Sequence, residues 1–190
     1  DHAPELTTQG VSQPVMFAHL AERTWQSMIS GNITSLVGIS LCLILVFRSI
    51  TLGLISLIPN LIPAVLSFGL WYLLNGEINM AMSTVLSLTF GIIVDDTIHF
   101  LSKYLYARRH YGHDAREAVI YAYQHVGVAL VATTFILLAG FSVMTLSNFL
   151  GNSTSAQLAM LFIFMALLAD LFLLPSLLIA FDKSKIPRLS

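Results

Sequence analysis

Charged side chains are scarce in this chain of 190 residues: Asp, Glu, Lys and Arg make up 10%, whereas soluble domains carry about 25%. Hydrophobic residues make up 56%, and the mean hydropathy is +0.81. Nine basic against ten acidic residues leave a net charge of -1, so the basic surface typical of nucleic-acid-binding proteins is missing. This composition predicts a membrane protein without a nucleic-acid partner.

Cysteine is rarer still. The single Cys42 lies inside an apolar run, which excludes a disulfide framework and a cysteine metal site. The first thirty residues lack the basic segment and apolar core of a signal peptide. The chain passes from this polar stretch straight into closely spaced apolar runs, as expected for a piece of a longer protein.

Five apolar runs predict an all-α membrane protein whose transmembrane helices form a five-helix bundle. They lie at about residues 33–47, 51–74, 79–103, 126–146 and 156–181. The longer runs reach the roughly 20 residues that cross a hydrocarbon core. Turns are predicted at residues 48–49, 75–77, 147–148 and 151–153. Pro59 and Pro63 are expected to leave unpaired carbonyls in the second span, which neighbouring groups or water can satisfy.

These spans divide the chain into three parts. Residues 1–30 are predicted to end an extracytoplasmic segment, with an amphipathic helix over about residues 15–30. Residues 31–182 are predicted to form the transmembrane domain, including a cytoplasmic connection over 104–125, and residues 183–190 a cytoplasmic tail. Within the connection, Asp114 is predicted to be the N-cap of a surface helix that leads into the fourth span.

The distribution of basic residues predicts the orientation. With five spans, eight of the nine Lys and Arg residues fall on one side of the membrane and Arg23 alone on the other. The eight are Arg48, Lys103, Arg108, Arg109, Arg116, Lys183, Lys185 and Arg188. The positive-inside rule makes their side cytoplasmic. We therefore predict a multi-pass protein of the cell inner (plasma) membrane with a cytoplasmic C-terminus.

Two adjacent acids, Asp95 and Asp96, interrupt the third apolar run. An ionised Asp near the centre of a lipid-facing helix costs at least about 2.5–3.5 kcal/mol, so both should face protein or water and hold a proton part of the time. Small or polar residues recur at every fourth position on one face of this helix: Ser83, Ser87, Gly91, Asp95, His99 and Lys103. Such a face suits close contact with other helices, and we predict that the acids point into a bundle.

Four other residues are candidates for a proton relay with this acid pair. His99 lies one turn nearer the cytoplasm, where it either relays protons or closes the polar stripe. Thr133 and Thr134 lie at nearly the depth of the pair, and they bond either a carboxylate or their own helix backbone. Asp170 is expected a turn or so further out on the fifth span. The alternative for the pair itself is a structural polar contact between helices.

Two other chemistries suit these residues less well. Asp95, Asp96 and His99 have a spacing that suggests metal ligands, but a metal ion needs further ligands in a fitted geometry. The histidines of residues 104–125 belong to the surface connection, so no metal site is predicted. A protease would need a second catalytic group, and two neighbouring acids on one helix do not form a facing dyad. Neither enzymatic activity nor a cofactor is predicted.

Five short motifs follow one another along the chain. They are Leu57-Ile58-Pro59-Asn60-Leu61-Ile62-Pro63, Gly91-Ile92-Ile93-Val94-Asp95-Asp96-Thr97-Ile98-His99-Phe100, Ala115-Arg116-Glu117-Ala118, Thr133-Thr134 and Ala169-Asp170-Leu171-Phe172-Leu173-Leu174-Pro175. In this order they resemble the resistance–nodulation–division (RND) superfamily, most closely its MMPL-type or hydrophobe-exporter branch, which is related to sterol-sensing domains. The resemblance covers roughly residues 15–182.

The resemblance implies that the chain is a five-helix block, half of an RND-type transmembrane domain and most like its C-terminal half. Family members couple proton entry through intramembrane acids to the export of lipids, drugs or other hydrophobic molecules. This implies that Asp95 and Asp96 form the proton site, with Thr133 or Thr134 as a relay. The drug-efflux branch uses an intramembrane lysine in one half, and the absence of Lys from the interior of these spans argues against that branch.

The partners implied by the resemblance are membrane lipids, protons and a hydrophobic substrate. The second transmembrane half and the extracytoplasmic porter domains of a full-length protein are also expected, together with a possible homo-oligomer. The alternative function is a regulatory membrane module that senses a sterol or another lipid without transporting it.

Overall fold

The computed structural model describes residues 13–47, 49–76 and 80–181. The first three helices of this part are α1 (Gln13–Phe47), α2 (Ile50–Asn75) and α3 (Met80–Tyr106), and a first π-helical turn, Ala107–Tyr111, extends α3. A helix over residues 115–144 follows, built from α4 (Ala115–Ala122), a second π-helical turn (Tyr123–Gly127) and α5 (Val128–Met144). The fifth consists of α6 (Leu150–Leu168), a third π-helical turn (Ala169–Leu173) and α7 (Leu174–Phe181). The predicted all-α, five-helix fold is confirmed.

Helix α1 joins two segments that the sequence suggested separately. The amphipathic helix predicted over residues 15–30 and the first apolar run form one continuous helix. The structure does not describe the side chains of residues 15–25, so the contacts of the amphipathic face stay a prediction. The predicted cytoplasmic tail, residues 183–190, lies outside the described residues.

Local sequence signals place two of the helix ends. Gly76 ends α2 with φ 73°, a left-handed conformation that glycine adopts without strain, and its N–H donates to the carbonyl of Tyr72. The N-cap predicted at Asp114 is confirmed: its carboxylate accepts the Glu117 N–H at 2.7 Å, and the Glu117 carboxylate accepts the Asp114 N–H at 3.2 Å. This capping box fixes the start of α4.

The turn predicted at residues 151–153 is wrong, because α6 already begins at Leu150. Polar side chains in this segment and next to it bond nearby backbone carbonyls instead. Ser153 donates its hydroxyl to the carbonyl of Thr145 at 2.9 Å, and Thr154 donates to that of Leu150 at 2.9 Å. Hydroxyl and amide side chains are favourable near a helix start, and here they line its first turn.

Three helices in the described part are long and apolar enough to cross a membrane: Leu52–Asn75, Ala115–Met144 and Leu150–Phe181. A shorter apolar segment, Ile29–Leu45, lies within α1. The protein is therefore an all-α membrane protein with several apolar helices. Crossing of the membrane by α1 and α3 stays a prediction.

The two larger buried clusters hold the middle and one end of the bundle together. One, around Phe100, Tyr104 and Leu174, packs the ends of α3 and α7 against α4. The other is centred on Phe90 and Phe162, whose rings meet edge to face with centroids 5.8 Å apart. Helix α6 therefore lies against both α2 and α3, which fixes how the third π-helical turn meets α3.

Single-cysteine labelling of the full-length protein would check the predicted orientation. In a Cys42→Ala background, Asn75→Cys and Asn148→Cys are expected to react with a membrane-impermeant maleimide added outside the cell, and His110→Cys only after permeabilisation. All three positions are exposed, so access from the correct side is what limits the reaction. The reverse pattern would contradict the cytoplasmic assignment of residues 104–125.

Candidate functional site

The polar stripe of α3 forms a surface of this five-helix block. Ser87, Gly91, Asp95, His99 and Lys103 are all exposed. The prediction that both acids point into a bundle is therefore not met by these five helices for Asp95. Asp95 lies inside a bundle only if another part of the protein covers the stripe.

Asp95 and His99 lie one turn apart on this exposed face. His99 Nε2 is 3.6 Å from Asp95 Oδ1, and the two side chains are 64% and 70% exposed, respectively. An imidazole and a carboxylate at this distance form an ion pair when the imidazole is protonated. His99 therefore lies within ion-pairing distance of Asp95, and its role as a proton relay stays a prediction.

Asp96 is half-buried and points to one side of the stripe. It lies within electrostatic range of Asp95, of His99 and of Asp170 on the last helix. Asp96 therefore links an exposed group of titratable side chains to a buried acid.

Asp170 is 2% exposed and meets α3 at Thr97, the residue after Asp96. Thr97 Oγ1 lies 2.9 Å from Asp170 Oδ1 and 3.1 Å from Asn60 Oδ1 on α2, and both Thr97 and Asn60 are buried. Asp170 therefore lies beside the acid pair, not a turn further out. The predicted depth rests on the ends of two apolar runs, and these ends do not mark a common level in the packed helices.

The third π-helical turn, which carries Asp170, is explained by Pro175. In an α-helix the carbonyl of Leu171 would accept the N–H of residue 175, but proline has no N–H and its ring crowds that carbonyl. The helix widens here, and the N–H of Leu174 donates to the carbonyl of Ala169. The hydroxyl of Tyr123 donates to the freed carbonyl of Leu171. Tyr123 belongs to the second π-helical turn, so two irregular turns support each other.

Comparison with known proteins agrees with the helical membrane architecture. A model of the MMPL family matches residues 3–188, nearly the whole chain. This chain belongs to the MMPL family. A Methanocaldococcus jannaschii protein whose name describes it as a membrane protein is 27% identical over 184 residues, covering 97% of the chain and 47% of that protein. The MMPL chain thus spans about half the length of this relative.

The two threonines predicted as relay residues of the MMPL chain have different surroundings. Thr133 is exposed, and its hydroxyl lies 3.0 Å from the carbonyl oxygens of both Ala129 and Leu130, its own helix backbone. Thr134 is buried. Helix α5 packs chiefly against α6. In the described part of the chain, no hydrogen bond joins either threonine to Asp95 or Asp96.

Within the described part of the MMPL chain, no group of three or more His, Cys, Asp or Glu side chains is placed to hold a metal ion. Three residues of the site were not predicted: Asn60, Thr97 and Tyr123. The first two carried a signal, since Asn60 is a polar residue between two prolines of an apolar span and Thr97 directly follows the acid pair. For Tyr123, the signal was Pro175, which leaves a carbonyl in need of a donor.

Proposed function

We propose that this MMPL chain is one half of the transmembrane part of an RND-type, proton-driven exporter of lipids or other hydrophobic compounds, with Asp95 and Asp96 as its proton site. The observation that carries the proposal is the arrangement of acids on α3. Asp95 is exposed beside His99, and Asp96 lies between this face and the buried Asp170. Acids on a membrane helix mark ion or proton pathways more often than structural contacts.

The exposed stripe explains how the half would act within a whole transporter. The chain spans 47% of its relative, which leaves room for a second transmembrane half and for extracytoplasmic porter domains. A second half covering the stripe would bring Asp95, His99 and Lys103 into the interior of the complete protein. His99 then relays protons between the cytoplasmic side and Asp95, while Thr134 and Asp170 are further relay candidates.

Membrane insertion follows the same proposal. The protein resides in the cell inner membrane with a cytoplasmic C-terminus, and its immediate surroundings are membrane lipids and the hydrophobic substrate. Assembly into a homo-oligomer belongs to the proposal as well. No cofactor and no enzymatic step are required, because a proton gradient drives the export.

A lipid-sensing module without transport is the second candidate, favoured by an apolar groove. A space of about 350 Å³ lies between α1, α2 and α3, lined by Asn32, Phe68, Phe90 and aliphatic side chains. The surface that this groove exposes is apolar, which suits an acyl chain or the ring system of a sterol. In this function the groove binds lipid, and the acids of α3 serve only to hold helices together.

Proton flux in proteoliposomes separates the two functions. The full-length protein is reconstituted with a pH-sensitive dye inside, and a proton gradient is imposed in the presence of a fluorescent lipid as a test substrate. An exporter dissipates the gradient while it moves the lipid. A sensor binds the lipid with no proton flux above that of empty liposomes, and that result would contradict the proposed function.

A further inference from the structure

The buried carboxyl of Asp170 lies among more acceptor oxygens than the neighbouring hydroxyl can serve. Thr97 Oγ1 is 2.9 Å from Asp170 Oδ1, 3.1 Å from Asn60 Oδ1 and 3.3 Å from the carbonyl oxygen of Ile93. A threonine hydroxyl carries one hydrogen. The Ile93 carbonyl has the backbone N–H of Thr97 as its helical partner, so Asn60 and Asp170 are the two that need the hydrogen.

The orientation of Asn60 decides which of them receives it. Asn60 Nδ2 donates to the carbonyl of Ser56 at 2.6 Å. Rotating the side-chain amide of Asn60 by half a turn would place Oδ1 next to the carbonyl oxygen of Ser56, which cannot donate a hydrogen bond. Oδ1 must therefore face Thr97. This oxygen accepts the Thr97 hydrogen, and Asp170 must then supply a hydrogen of its own for its contact with Thr97.

We propose that Asp170 is a buried proton-binding group whose acidic hydrogen completes a directed chain, from Asp170 to Thr97 Oγ1 and from Thr97 to Asn60 Oδ1. These hydrogen bonds connect the third π-helical turn to α3 and α2. When Asp170 releases the proton, a single hydrogen is left for the three side-chain oxygens and a carboxylate is left in the core. The third π-helical turn, α3 and α2 must then separate or admit water. The bound proton therefore holds these three elements together.

The surroundings of Asp170 offer little else to balance a charge. Helices α2, α6 and α7 contain no Asp, Glu, Lys, Arg or His. Helix α3 brings another acid, Asp96, within electrostatic range. The second π-helical turn brings Tyr123, whose hydroxyl is donated to the carbonyl of Leu171. None of these neighbours brings a positive charge to Asp170. Binding a proton therefore neutralises its carboxyl group.

This inference deepens the proposed function and rests on it for its role in transport. A proton that enters at Asp95 and Asp96 would gain a second, buried place to bind. Release of this proton would weaken the contact of α2 with α3, because the hydrogen bonds of Thr97 hold these two helices together.

Infrared spectroscopy of the full-length protein in lipid nanodiscs tests whether Asp170 is protonated, without relying on transport. At neutral pH, the carbonyl stretch of a protonated carboxyl group is expected in the wild type and in the Asp95→Asn, Asp96→Asn double variant, and its intensity should fall in Asp170→Asn. Thr97→Val removes the acceptor and should shift the band, whereas Thr97→Ser keeps a hydroxyl and should leave it in place.

A second measurement is the dependence of heat stability on pH. Asn at position 170 can donate its amide N–H to Thr97, as the protonated acid does, so Asp170→Asn should match the wild type at neutral pH and lose less stability as the pH rises. An unchanged carboxyl band in Asp170→Asn, or no shift in Thr97→Val, would overturn the inference. Neither result bears on whether protons flow through Asp95 and Asp96, which the proteoliposome assay measures separately.

Discussion

Replacing Asp96 with Asn in the full-length protein is expected to stop proton-coupled export while the protein still folds and inserts. Asn nearly matches Asp in shape but cannot exchange a proton, and losing a proton-transferring group commonly costs about 100-fold or more in rate. Asp95→Asn should have the same effect. Export of the fluorescent lipid, measured against the rate of proton entry in proteoliposomes, gives the size of the loss.

Stability distinguishes a functional acid from a structural one. Asp96 is half-buried and has Asp95 beside it, so Asn relieves both the burial of a charge and a repulsion, and heat stability should stay the same or rise. If the acids only joined helices, Asn should loosen the bundle. Glu117→Gln is the matched control, because it removes a carboxylate from the surface helix α4 and should leave export unchanged. Full proton-coupled export by both Asn variants would refute the assignment.

The helices of this chain could be predicted closely from local signals. The end of α2 follows from Asn75 and Gly76, because glycine readily adopts the left-handed conformation that ends a helix. The start of α4 follows from Asp114, whose side chain accepts a backbone N–H of the first turn. Such signals depend on neighbours in sequence. They fail at residues 151–153, where the same residue types that favour a turn also favour the first turn of a helix.

The interior of the site could be predicted only in part. Asp95 and Asp96 stand out because a charge in an apolar run has a known cost, and Asp170 stands out for the same reason. Which side chain meets Asp170 depends on the relative height of α3 and the last helix. That height is set by the packing of Phe90 on Phe162 and by the widened turn before Pro175, neither of which can be read from residue spacing.

The stripe on α3 shows a related limit. Its periodicity predicts a face that makes contact, and the exposed Asp95 and His99 agree that these five helices do not provide the contact. A repeating pattern identifies a contacting face but not the partner.

Tyr123→Phe is expected to destabilise the protein by about 1 kcal/mol, the net contribution of one hydrogen bond, because Tyr123 and Leu171 are partly buried. Phenylalanine keeps the ring contact with Phe100, whose centroid lies 5.3 Å away, and removes only the hydroxyl that serves Leu171. Unfolding by denaturant in detergent micelles measures the loss. Tyr72→Phe, an exposed ring on α2, is the control and should change stability little.

Pro175→Ala provides the decisive second variant, because alanine restores the backbone N–H that the Leu171 carbonyl lacks. In the Pro175→Ala background, Tyr123→Phe should cost less than about 0.5 kcal/mol, so the double-mutant cycle should show a coupling of at least about 0.5 kcal/mol. An equal loss in both backgrounds would mean that Tyr123 acts through its ring environment and not through Leu171. A large coupling would instead tie the second π-helical turn to the one that carries Asp170, since a hydroxyl on one turn replaces a hydrogen bond that proline removes from the other.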